Sequence, residues 1–255
     1  MRRHRLLLAV GLLLYIGSLA NAQSEPLTAD DVFDRTRQTW QGNSFHATLH
    51  LDIVLSGQTK SHILEVWTLG DDLALIRIHE PEADAGSGYL EADGKLYYYS
   101  PLLGSAIELP AIALADALFG AGPSLDDLSH GTLSDDYDAS VEYLDTASGD
   151  EAAAAYRLIL VPHADAPVVY GELRILVSAD FVLREVVYYD QRGNVLQTAT
   201  FRDVLDVAGT RMPTTIEIVD TSGDRTIERI ANPELAPDLD ASFFTLETLE
   251  GGGEQ

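Results

Sequence analysis

Cysteine is absent from all 255 residues, so the chain can form no disulfide, use no thiol nucleophile and carry no lipid on an N-terminal cysteine. Lysine is nearly absent as well, with Lys60 and Lys95 the only examples. The 16 basic residues stand against 41 acidic ones, a formal net charge of −25. Such a surface repels nucleic acid and anionic lipid headgroups. The skew fits adaptation to salt or plain solubility better than a dedicated cationic partner. Sequence signatures of catalysis are missing too: there is no G-x-S-x-G, no P-loop, no H-E-x-x-H and no dinucleotide fingerprint. The reading is therefore non-enzymatic, with no catalytic residue, no cofactor and no metal.

The N-terminus carries what an export signal needs. "MRRHR" is a basic region, "LLLAVGLLLYIGSLA" an apolar one, and "ANA" before Gln23 a small-x-small cleavage site. The apolar run falls short of the roughly 20 residues of a comfortable membrane span. Residues 1–22 are read as a signal peptide and 23–255 as one domain; a retained N-terminal anchor is the alternative. Loss of Arg2, Arg3 and Arg5 would leave 13 basic residues against the 41 acidic ones, or −28. The expected product is soluble, extracytoplasmic and not lipid-anchored. Without disulfides it must be held by its own core.

In "PLTADDVFDRTRQTWQG", Thr28 is a good N-cap, Asp31 stands at the third helical position and Gly42 ends the pattern. Leu27 and Val32 have staple spacing, and Val32, Phe33, Thr36 and Trp40 share one stripe. A helix is expected from Thr28 to Trp40, and another around Ala111 to Phe119. Most of the rest reads as strands joined by short turns. "SFHATLHLDIVLSGQTKSHILEVWTLGDD" is a hairpin; a Gly57-Gln58 loop would set Leu51 opposite Leu64 and Leu49 opposite Val66. Further turns fall at Ser148-Gly149, Arg192-Gly193-Asn194 and Ser222-Gly223. About ten or eleven strands are counted, with no βαβ unit, so the sheet is antiparallel. A sheet of that size must curl, and its concave face must be filled. The tail "LETLEGGGEQ" is expected to fray.

Few polar clusters stand out. His46 and His50 share a strand face with Asp52, but His62 should project from the other face. Two histidines four residues apart on a strand are about 13 Å apart, too far to share one ion. Asp126-Asp127 and Asp135-Asp136 lack the alternation of a calcium loop and read as caps and turns. Arg77 and Arg157 lie in strong strands, where each could pair with an acid or carry a polar link.

One segment interrupts the strand pattern: "ALFGAGPSLDDLSHGTL", residues 117–133. Its Gly120, Ser124, Asp126, Asp127 and Leu128, followed by Asp136-Tyr137, resemble the G-S-D-F-S-x-x-D-L region of the outer-membrane lipoprotein-sorting, LolA-like family. "VWTLGDDLALIRIHEP", "GKLYYYSP", "YYDQRGNVLQTATFRDV" and "FFTLETLE" resemble the flanking strands and C-terminal end of that family. Ala121, Gly122 and Pro123 depart from its usual Ser-Asp-Phe, and Tyr97 stands where Trp is common.

The resemblance implies a curved antiparallel sheet forming a half-open β-barrel, with short helices over a hydrophobic cavity. It makes residues from about Ala111 to Leu128 the lid. Leu114, Leu118 and Phe119 would face the cavity, and Gly120, Gly122 and Pro123 would form a stiff break. Whether that lid moves or is a fixed plug stays open. Leu49, Leu51, Leu64, Val66 and Leu75, with Tyr98 nearer the lid, are the expected lining. The implied function is a monomeric carrier or binder of lipoprotein acyl chains or other lipids, with transient membrane or envelope-protein contacts. The alternative is an envelope regulatory or structural module that binds a protein through the same fold.

Overall fold

The computed structural model describes residues 26–40, 43–70, 72–110, 113, 137–144, 154–164 and 168–251. Thirteen strands form one antiparallel sheet. They are β1 Ser44–Leu55, β2 Gln58–Leu69, β3 Leu73–Glu80, β4 Gly88–Ala92, β5 Lys95–Tyr99, β6 Ile107–Leu109, β7 Tyr137–Tyr143, β8 Ala154–Pro162, β9 Glu172–Ser178, β10 Leu183–Tyr189, β11 Val195–Val207, β12 Thr210–Asp220 and β13 Arg225–Leu235. Two α-helices, α1 Ala29–Trp40 and α2 Leu246–Gly251, and a 3-10 turn at Ala241–Phe243 complete the described elements. The sheet runs outward from a central β1–β13 pair, ending at β6 on one side and β7 on the other. It is curved and open, as expected, but has 13 strands rather than ten or eleven. One hairpin missing from the sequence count is β11–β12, which turns on Ala208-Gly209 between paired Val207 and Thr210.

The β1–β2 register differs from the expected one. The two-residue loop is Ser56-Gly57, so Leu55 pairs with Gln58, Leu49 with Leu64 and Ala47 with Val66. Both loop residues have positive φ, 51° and 79°, as a type I′ turn requires. Asp93-Gly94 and Ala208-Gly209 turn the same way, each with glycine second. The shift is by two residues, so every side chain keeps its expected face.

Helix α1 begins on the expected cap. The Asp31 amide donates to Thr28 Oγ1 at 3.1 Å, and the Thr28 amide donates back to Asp31 Oδ2 at 2.8 Å. This exchange holds the Asp31 carboxyl below its ordinary pKa. Val32 is fully buried, and the helix packs on β7, β8 and β12. β7 and β12 are the first and last of six neighbouring strands, so that part of the sheet must wrap around α1.

Each face of the sheet has its own core. The larger cluster lies on the concave face and joins α1 to inward residues of β1–β3, β5 and β8–β13. The smaller one, on the opposite face, comprises Trp67, Leu75, Leu90, Ala92, Phe244 and Leu249. There the chain after β13 folds back on β2–β5. The tail does not fray over Leu246–Gly251, which is helical with Leu249 2% exposed; residues 252–255 lie outside the described residues. Leu249 and the two phenylalanines before it supply enough apolar area to dock a helix too short to stand alone. Among the described residues no helix is long and apolar enough to cross a membrane.

Candidate functional site

Alternation along β1 and β2 decides which side chains face inward. Leu49, Leu51, Leu64 and Val66 are all on the concave face, each at most 2% exposed. Tyr98 of β5 is on the same face, half-buried, its ring centroid 5.0 Å from that of its cross-strand partner Tyr89. Burial, with Tyr98 and Asp84 nearby, pushes the Tyr89 phenol up to about 12. Leu75 does not join this group. It pairs with Trp67 and points to the opposite face, into the cluster under α2. An odd residue number in β3 falls on the outer face because Leu64 pairs with Ile78 and Val66 with Ile76.

Of the expected lid, only Ala113 is described, and it packs against the larger core. Leu114, Leu118, Phe119, Gly120, Gly122 and Pro123 lie outside the described residues, as do Ser124, Asp126, Asp127 and Leu128 of the motif. So do residues 1–22 and the second helix expected around Ala111 to Phe119, apart from Ala113. Tyr137 is described: it opens β7 opposite Pro162 and is partly buried against the larger core.

The concave face also holds buried polar groups: His62, expected on this face, and Glu228 and Thr226, which were not. Leu51 pairs with His62 on one side and Glu228 on the other, and both are only 5% exposed. Burial holds the His62 imidazole below its ordinary pKa. Thr226, 3% exposed, lies in the same row of inward residues on β13. The signal was present in the sequence as two charged-type residues, His62 and Glu228, in phase with leucines and isoleucines. The face is therefore apolar at its centre and polar toward the β1–β2 turn.

On the outer face, His46 and His50 share a side with Asp52, and His62 does not, as expected. Glu65 bridges two imidazoles, accepting from or facing His46 Nε2 and His79 Nε2 at 2.9 Å each. His46 also stacks on Trp67. Among the described residues no group of three or more His, Asp or Glu is arranged to hold a metal ion. Asp52 accepts from Ser61 and Arg229, which hold its carboxyl below the ordinary value. The two open arginines take different roles. Arg157 pairs with Glu142 at 2.9 Å, whereas Arg77 donates to the Thr248 carbonyl and ties α2 to β3.

Residues 70–251 match the model of a family described as an uncharacterized protein-like family. The chain belongs to that family. Its fold is that of the LolA superfamily. A LolA superfamily protein from Nitrosomonas europaea superposes with a TM-score of 0.69 at 20% identity, covering 86% of this chain and 98% of its own. A DUF1329 family protein from Desulfovibrio piger gives 0.73 at 18%, covering 86% and 96%. A protein domain from Vibrio parahaemolyticus, described as outer membrane lipoprotein-sorting, gives 0.72 at 16%, covering 86% and 97%. At these identities the likeness establishes the fold. No curated protein matches the chain by sequence.

Proposed function

We propose that the protein is an exported, non-enzymatic carrier or binder of lipid acyl chains, cleaved after Ala22 and acting as a soluble monomer outside the cytoplasm. The observation that carries this reading is the concave face itself. Leu49, Leu51, Leu64 and Val66 form one continuous apolar inner face of a curved open sheet, buried in the larger core, with half-buried Tyr98 on the same face. The segment that follows β6 begins to cover that surface at Ala113.

Burying a sixteen-carbon chain is worth on the order of 12 kcal/mol relative to water, at about 0.8 kcal/mol per methylene. A lipid starts in a bilayer, however, where its chains are already dry, so the net driving force of transfer is near zero. The carrier then needs only a comparable surface and a cover, and tight binding would prevent release. His62 and Glu228 at one end of the face supply polar groups where an acyl chain would give way to a headgroup.

Native mass spectrometry of the protein purified without detergent, followed by organic extraction, tests the reading. Bound lipid at reproducible stoichiometry supports it. A clean apo mass that also refuses added lipid overturns it and leaves a packed core. As a second arm, Tyr98→Arg puts a charge at the half-buried edge of the face. Several-fold weaker uptake of a fluorescent fatty acid is expected, with thermal unfolding confirming a folded variant. Unchanged uptake would make this face ordinary core.

A further inference from the structure

The hairpin between β5 and β6 carries a surface of a different kind. From Leu96 to Ile107 the sequence reads "LYYYSPLLGSAI", with no charged residue, in a chain that is 22% charged. At its tip Leu102 is 93% exposed and Leu103 53%, and Ile107 just below is 44% exposed. Leu102 is the most exposed large hydrophobic side chain among the described residues. From the geometry of this tip we infer that it is a membrane-contact point, which inserts its leucines into the interface of an electrically neutral lipid bilayer.

Three observations favour a bilayer as the occupant. First, the tip is built in advance, and the amides of Leu102, Leu103 and Gly104 are already satisfied. Leu103 and Gly104 donate to the Ser100 carbonyl at 2.9 and 3.1 Å, and the Leu102 amide donates to Ser100 Oγ at 3.3 Å. Ser100 is itself buried. A backbone amide that enters an apolar medium unpaired is costly, so this internal bonding removes the main penalty on insertion. Second, the tip is braced from below. The Ala106 amide donates to Glu250 Oε1 at 2.7 Å, and Lys95 pairs with Glu108 at 2.9 Å across the base. Tyr97 lies opposite Glu108 in the ladder, and Tyr98 and Tyr99 stand between that charged base and the leucines, the placement that suits an aromatic side chain at a headgroup boundary. Third, the edge is poor for pairing with another protein strand. β6 has three residues and is followed by Pro110, which has no amide to offer.

Charge selects the lipid. The β3–β4 loop packs beside the tip at Gly86 and Pro101, and brings Glu80, Glu82 and Asp84 to the same end of the sheet. Anionic headgroups are repelled there, and the net charge of −25 adds to the repulsion. Two leucines give only weak, reversible attachment, well below that of a single long acyl chain. The inference stands on the hairpin alone and not on the carrier reading.

The absence of cysteine makes the test direct, because Leu103→Cys creates a single labelling site. The full exported chain, labelled there with a polarity-sensitive fluorophore, is titrated with phosphatidylcholine vesicles containing or lacking a chain-attached quencher. A blue shift and quenching are expected at position 103. Neither is expected for the same label at Arg192→Cys in the β10–β11 turn. Leu102→Asp should lower vesicle partition about tenfold or more. Mixing phosphatidylglycerol into the vesicles should weaken the signal, and added salt should restore it. No shift at 103 up to high lipid overturns the proposal, as does an equal shift at 192. A shift that rises with protein concentration in the absence of vesicles also overturns it and assigns the tip to a second copy of the chain.

Discussion

Gly88 of β4 lies directly against Leu249 of α2: a Cβ on Gly88 would stand 3.1 Å from Leu249 Cδ1 and 2.4 Å from the Ile76 carbonyl oxygen. Only a residue without a side chain lets β3, β4 and the C-terminal helix meet so closely. Gly88→Ala should therefore destabilise the fold by about 1–3 kcal/mol, because backbone must shift to admit the methyl group. Urea unfolding at equilibrium measures it; an unchanged midpoint would mean that β4 moves freely.

Leu249 itself is the anchor of α2 on the outer cluster. Leu249→Ala removes a buried side chain and should cost about 2–5 kcal/mol if the cluster stays with the global fold. If α2 instead releases alone, emission from Trp67, which shares the cluster, shifts to the red before the main transition. Far-ultraviolet dichroism recorded with the fluorescence separates the two outcomes.

His62 gives stability a pH dependence of known sign. Burial lowers its folded-state pKa, with Asp84 opposing the shift, Lys60 adding to it and Glu228 two strands away on the same face. In the unfolded chain the imidazole takes a proton near pH 6.5, whereas the folded protein keeps it neutral to lower pH. The contribution is complete above about 6.5 and is lost as the pH falls from there through the lowered folded value. His62→Leu should flatten the change in unfolding midpoint between about pH 7 and pH 5. An equal slope in wild type and variant would show that other groups govern this window.

Arg184 lies at a bulge in β10, and its Nε and Nη2 are buried with no hydrogen-bond partner among the described residues. An unmade hydrogen bond at a buried donor typically costs about 1–3 kcal/mol, partly offset here because the residue is not wholly enclosed. Arg184→Met keeps the length of the side chain and removes the donors, so the melting temperature should rise by a few degrees. A lower melting temperature would reveal a favourable interaction of the charge.

The alternation of β1 and β2 was legible because face depends only on parity. Although the hairpin register was misread by two residues, Leu49, Leu51, Leu64 and Val66 still fell on one side. Leu75 was misplaced because no local rule says how β3 pairs with β2, and that pairing sets its face. The Thr28–Asp31 cap was legible because its hydrogen bonds span three residues. The α2 docking was not, since Leu249 becomes a core residue only when β4 is beneath it.

By itself the sequence determined the strand-rich antiparallel class, the first helix and the inward set of β1 and β2, because these follow from local propensity and period. Tertiary structure decided the rest. The β1–β13 pairing, the curl around α1, the second core and the burial of His62 and Glu228 all depend on residues far apart in the chain. Such contacts form only once the two halves of the sheet have met, and nothing within a short window of sequence encodes them.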